Sequence, residues 1–126
     1  MKSHKDLEVW KGAVELSVTC HEVTKKFSRD DQFGLAAQIR KASISIASNI
    51  AEGAARASNK EFVYFLYVSL GSASELDTQI EIAKRIGSGN LPELEMLQSK
   101  VNTISRMLQG LIRSVKHRSQ LSLTNH

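Results

Sequence analysis

From Leu94 to Val115 the apolar residues fall at Leu94, Leu97, Val101, Ile104, Leu108, Leu111 and Val115, a strict 3-4-3-4-3-4 spacing. That spacing draws one apolar stripe along an α-helix and does not fit the period of two that a half-buried strand needs. Two other stretches carry the same signal. Val9, Ala13, Leu16, Cys20, Val23 and Phe27 recur at 4-3-4-3-4, and Phe62, Leu66, Ser69, Ala73, Leu76, Ile80 and Ala83 at 4-3-4-3-4-3. Stripes of this kind must be buried against one another, so the chain is expected to be built by helix-on-helix packing.

A fourth helix lies between the first and the second of these stripes in chain order. Its rows are Leu35, Ile39, Ala42, Ile46, Ile50 and Gly53, and beside them Ala36, Ser43, Ala47, Ile50 and Ala54. Apolar and small residues cover more than half its circumference, which is the mark of a helix buried on two sides. The boundaries follow from capping chemistry. Ser28-Arg29-Asp30-Asp31 supplies turn and N-cap residues, and Ser58-Asn59-Lys60-Glu61 has the Ser-x-x-Glu form of a capping box. "IGSGN" at 86–90 ends a helix with glycines suited to left-handed backbone, and Asn90-x-x-Glu93 opens the next, with Pro92 tolerated in its first turn. The expected helices are therefore about 6–27, 31–56, 59–86 and 91–117, in one domain, with a tail at about 118–126 that carries no pattern and is expected to fray. Four long helices on short connections make an antiparallel up-down-up-down four-helix bundle. "SNIAEGAARASNKEF" at 48–62 is then the joint between the second and third helices, where Gly53, Ala54, Ala55 and Ala57 keep bulk low so that the two can approach closely.

The residue types exclude several function classes. One cysteine, Cys20, permits neither an intrachain disulfide nor a cysteine zinc cage, and its place on a core stripe makes it an inert buried thiol. None of the four histidines has a glutamate three residues before it, so the Glu-x-x-His pairs of a di-iron bundle are missing and no metal is expected. "GSGN" and "LGSASE" lack the Gly-Lys-Ser/Thr of a phosphate-binding loop and follow no strand. Glu52 and Arg56, four apart with the acid first, form a helical ion pair rather than a catalytic couple. No nucleophile stands with a base, so neither enzymatic activity nor a cofactor is expected, and no small-molecule substrate suggests itself. His21, with Lys25 one turn on, leaves one minor alternative, a phosphotransfer histidine in a signalling bundle. Without a membrane-length apolar run or a signal-peptide segment, a cytoplasmic protein is expected.

Lysine and arginine outnumber the acids 17 to 13, and unevenly. No acid follows Glu95, whereas Lys100, Arg106, Arg113, Lys116 and Arg118 do. A basic end of this kind either attracts nucleic acid or anionic lipid or simply keeps a helix face solvated. The core of a single bundle cannot use both faces of the second helix together with a second, mixed row on the first helix (Leu7, Trp10, Val14, Ser17, His21, Thr24). Surplus apolar surface of that kind points to oligomerisation, with Trp10, Val14, Ala47, Ile50 and Gly53 as interface candidates.

"DLEVW" at 6–10, "FGLAAQIRKASISIASNIAEG" at 33–53 and "KEFVYFLYVSLGSASELDTQIEIAKRIG" at 60–87 together resemble the four-helix bundle proteins named after the 23S ribosomal RNA intervening sequence, over nearly the whole chain to about Val115. Those proteins are small and bacterial, and a related branch is the accessory protein of diversity-generating retroelements, which partners a reverse transcriptase. The resemblance implies a ring-like homopentamer, a basic surface that contacts nucleic acid or a nucleoprotein, and no catalytic activity. One residue departs from it: Ala47 stands where the family usually has proline, so any proline kink in the second helix is reduced and the subunit angle altered. The residues expected to contact phosphates are Arg40 and Lys41 on the second helix, Arg56 and Lys60 at the joint, and Arg113, Lys116 and Arg118 at the basic end. No aromatic stacking platform is evident in the sequence, so RNA or DNA would be bound with little regard to base. The rival reading is a protein-interaction scaffold whose charge serves solubility alone.

Overall fold

The computed structural model describes residues 3–124, with side chains described for 3–120. Four long helices pack as an all-α bundle: α1 (Glu8–Thr24), α3 (Leu35–Ala54), α4 (Asn59–Ile86) and α5 (Leu91–Thr124), with a one-turn α2 (Arg29–Gln32) between the first two. A 3-10 turn at His4–Asp6 leads into α1, closed by a capping box in which Ser3 and Asp6 satisfy each other's backbone ends. Each long helix contacts the next in chain order, and α1 closes the ring against α5. The polar ties between helices run antiparallel. Lys26 near the end of α1 pairs with Glu93 at the start of α5 at 2.9 Å, and Gln98 early in α5 donates to Glu81 late in α4 at 3.0 Å.

The core is drawn almost wholly from the apolar stripes. Every stripe residue of α1 and α4 is buried, including Ser69, whose hydroxyl donates to the Ile46 carbonyl of α3 at 2.9 Å. On α5 the stripe shifts near its end: Ile112 is buried and Leu111 only half-buried. A straight helix of 3.6 residues per turn drifts about 20° per heptad against a 3.5 repeat, so after two to three heptads a neighbouring residue turns inward.

Two helix boundaries differ from expectation. Residues 31–56 do not form one helix. The chain breaks at Phe33-Gly34, where Gly34 has φ −101° and ψ −100°, and Phe33 is left 92% exposed at the corner. Gln32 secures this corner by donating to the carbonyls of Thr24 (2.7 Å), which also accepts from Phe27 N–H, and of Phe27 (3.0 Å). At the other end of the chain α5 continues to Thr124, through most of the stretch expected to fray, which holds neither glycine nor proline to stop it; Asn125 and His126 lie outside the described residues.

The joint at Ala55–Ser58 is tight. Ser58 caps α4, its hydroxyl accepting from Glu61 N–H at 3.2 Å. Gly53 is buried, and a Cβ there would lie 2.7 Å from Phe65 Cβ, 3.1 Å from Phe62 Cδ1 and 3.2 Å from the Phe62 carbonyl oxygen. Only a hydrogen at that position lets α3 and α4 come this close.

Candidate nucleic-acid interface

The antiparallel pairing of α4 and α5 sets the first turns of one against the last turns of the other. This gathers five of the seven expected phosphate contacts at one end of the bundle. Lys60 and Lys116 line a crevice together with Asn59 and Val63, and Lys116 and Arg113 line its continuation beside Tyr67 and Leu70. Around the corner, a groove beside the joint is lined by Arg56 and Arg118 with Ser58 and Asn59. No acidic side chain among the described residues lines any of the three. All five cations are exposed, and Lys60, Arg113 and Arg118 have no ion-pair partner among the described residues.

The other two expected contacts lie elsewhere. Arg40 is built into the corner at the far end: its Nε donates to Thr24 Oγ1 at 2.9 Å and its Nη2 to Gln32 Oε1 at 2.7 Å. Its guanidinium thus ties α1, α2 and α3 together and is half-buried. Lys41 is exposed but sits on α3 among neither cluster. Arg56 pairs with Glu52, as their spacing requires, and its guanidinium carbon lies 4.9 Å from the centre of the Phe65 ring.

Two tyrosines belong to this surface and were not expected there. Tyr64 is 62% exposed and Tyr67 48% exposed, and Lys116 Nζ donates to the Tyr67 hydroxyl at 2.9 Å. The sequence signal that would have found them is the spacing of Lys60, Tyr64 and Tyr67, which follow one another at 4-3 on the side of α4 away from its apolar stripe.

A second surface runs between α1 and α3. Val14, Ser17, Val18, His21, Ile44 and Ala47 line a shallow groove, with Val18 54% and Ile44 48% exposed. Val14 and Ala47, named as interface candidates, are on it, and Trp10 is half-buried on the same helix, edge-on to His4 with ring centres 5.0 Å apart. Ile50 and Gly53 are not available to a second chain. Ile50 is 0% exposed within its own core, and Gly53 is covered by Phe62 and Phe65. His21 Nδ1 donates to the Ser17 carbonyl at 2.9 Å, which fixes the ring against its own helix.

Cys20 is fully buried, and desolvation pushes its thiol up to about 12 against a weaker opposing hydrogen bond with Ser43. That thiol stays protonated and unreactive at neutral pH. Among the described residues no group of three or more His, Cys, Asp or Glu side chains could hold a metal ion. No helix among them is long and apolar enough to cross a membrane.

The described residues thus form a small all-α bundle with cationic crevices at one end and a side groove between α1 and α3. The particular family follows from the sequence as a whole. The family model described as 23S rRNA-intervening sequence protein matches residues 5–110, and the chain belongs to that family. Among solved structures it is similar to a protein of unknown function from the S23 ribosomal protein family of Bacteroides thetaiotaomicron VPI-5482. The TM-score is 0.77 and the identity 23%, over 83% of this chain and 95% of that one. At that identity the likeness concerns the fold. No curated protein shows significant similarity to the chain.

Proposed function

We propose that the protein is a non-enzymatic homo-oligomer, a pentamer by the family resemblance, that binds nucleic acid or a nucleoprotein through its cationic end in the bacterial cytoplasm. The observation that carries the reading is the crevice of Lys60, Arg113 and Lys116 between α4 and α5, with no acidic residue in its lining. Exposed cations without acidic neighbours attract the phosphate backbone, which supplies affinity without reading sequence. One chain offers few such contacts. A ring repeats them, and sites that are weak singly become tight together wherever the polymer can span them. The groove between α1 and α3, with Val18 and Ile44 exposed beside Val14 and Ala47, supplies the surface on which copies meet.

Binding to a single-stranded oligonucleotide, measured against salt, tests the reading. Three phosphate contacts give a log–log slope of about −2 to −3, a loss of roughly twenty- to fortyfold between 50 and 200 mM salt. Lys60→Ala, Arg113→Ala and Lys116→Ala combined are expected to flatten the slope and leave the mass of the assembly unchanged. Light scattering is expected to give five times the 14.0 kDa chain mass, falling towards the monomer in Val18→Asp/Ile44→Asp. Wild-type protein that retains neither RNA nor DNA at low salt overturns the nucleic-acid reading in favour of a protein-interaction scaffold.

A further inference from the structure

The chain has only two tyrosines, and both are exposed on α4 beside the cationic crevice. An isolated exposed tyrosine needs no explanation, but these two are neighbours. Lys60, Tyr64 and Tyr67 stand at i, i+4 and i+7, so ammonium, ring and ring follow each other along one line of the helix surface. The two rings are three residues apart, about 4.5 Å along the helix axis. The rings thus come from neighbouring turns of one helix face.

Both rings are held. Tyr64 stands edge-on to Phe65, with centres 5.1 Å apart and planes at 87°. Phe65 is itself half-buried against the joint, under the Arg56 guanidinium at 4.9 Å. The Tyr67 hydroxyl is anchored by Lys116 Nζ at 2.9 Å, while that nitrogen is 5.0 Å from the ring centre. The lysine therefore lies beyond the phenol oxygen and does not cover the face of the ring. Gly71 ends the row, and a Cβ there would meet nothing within 4 Å. Fixed rings cost less ordering on binding than mobile ones.

Resting on the nucleic-acid reading, we infer that Tyr64 and Tyr67 are a stacking platform for unpaired bases, and that the ligand of this surface is single-stranded RNA or DNA. Lys60, Arg113 and Lys116 hold the phosphates on either side. Base faces are available for stacking only where the strand is unpaired; in a duplex each is covered by its neighbours. Cations alone favour the duplex, whose charge density is the higher, so a preference for the single strand has to come from the tyrosines.

Fluorescence anisotropy with a labelled 20-nucleotide strand and its duplex at 50 mM salt tests this. Wild-type protein is expected to favour the single strand by tenfold or more. Tyr64→Leu/Tyr67→Leu keeps apolar bulk and removes the π face. It is expected to lose at least tenfold for the single strand, since each stacked ring contributes about fivefold or more, and to lose much less for the duplex, where only the Tyr67 hydroxyl that holds Lys116 is missing. Tyr64→Phe/Tyr67→Phe keeps the faces and is expected to retain the preference, with circular dichroism and mass confirming that both variants fold and assemble. Equal binding of strand and duplex by wild type, or a leucine variant with undiminished preference, overturns the platform and leaves the phosphate reading standing. Wild type that binds neither ligand removes both.

Discussion

Replacing Gly53 by alanine adds one methyl group where α3 meets α4, and the same substitution at Gly71 adds it on the open side of α4. In a helix interior alanine is favoured over glycine by about 1 kcal/mol, because glycine loses more backbone freedom on folding. At Gly71 nothing lies within 4 Å of the new carbon, so the whole gain is expected. At Gly53 the new carbon would sit 2.7 Å from Phe65 Cβ and 3.2 Å from the Phe62 carbonyl oxygen. Neither atom can swing aside, since one is fixed to the α4 backbone and the other is part of it. The helices must separate by several tenths of an ångström, and forced insertions of this kind typically cost about 1–3 kcal/mol. The helix gain offsets part of that, leaving Gly53→Ala about 1 kcal/mol less stable than wild type. At about 4 °C per kcal/mol for a chain of this size, Gly53→Ala is expected to melt about 4 °C below wild type and Gly71→Ala about 4 °C above it. Thermal unfolding followed by circular dichroism at one fixed protein concentration measures both, since the melting of an oligomer depends on concentration. Gly53→Ala melting at or above wild type would show that the joint has room, and the account of close helix contact would fail.

Gln79 is buried on α4, and its Oε1 has no hydrogen-bond partner among the described residues. Gln79→Met keeps the length of the side chain and removes the orphaned acceptor, so a gain of about 1 kcal/mol is expected in urea unfolding. A loss would reveal a partner for that oxygen. Hydrogen bonding from Gln98, then from Arg85, and the charge of Lys84 hold the Glu81 carboxyl below its ordinary value. Its ionised form is thus favoured in the folded state, and the stability it contributes is present above the ordinary carboxylate pKa and lost as pH falls through the lowered one. Glu81→Gln is expected to melt lower than wild type at pH 7 and to converge with it in acid; a gap that persists at low pH would assign the effect to packing.

The helices were legible because burial in a bundle imposes the helix period on the sequence, and every stripe residue of α1 and α4 is buried as its spacing requires. What was lost depended on geometry between elements. The swap of Leu111 for Ile112 follows from a slow rotation of the stripe that a fixed 3-4 template ignores. The corner at Phe33-Gly34 is set by Gln32 and Arg40 reaching back to the end of α1, contacts between residues 8 and 16 positions apart. Arg40 read as a surface cation for that reason. Val18 and Ile44 escaped notice because they lie off the stripes, on flanks that become one groove only after α1 and α3 are laid side by side. The convergence of Lys60 with Arg113 and Lys116 is likewise a product of antiparallel packing, joining residues about 50 positions apart.

The joint and the cationic surface are one construction. Gly53 admits Phe65 against α3, and Phe65 in turn carries Arg56 over its ring and Tyr64 against its edge. A helix end ordinarily frays and lets its side chains wander. Here the first turns of α4 are capped by Ser58, clamped to α3 through Gly53 and covered by the last turns of α5 through Lys116 and Tyr67. The close approach that the glycine permits therefore does more than fill the core. It fixes the backbone on which Lys60, Tyr64 and Tyr67 are mounted, so that rings and ammonium groups are presented at constant spacing. A surface meant only to stay solvated would gain nothing from such backing, because mobile lysines are equally well hydrated. Rigid presentation matters where a ligand must meet several groups at once, and that is the physical link between the tight joint and the binding role proposed for this end of the bundle.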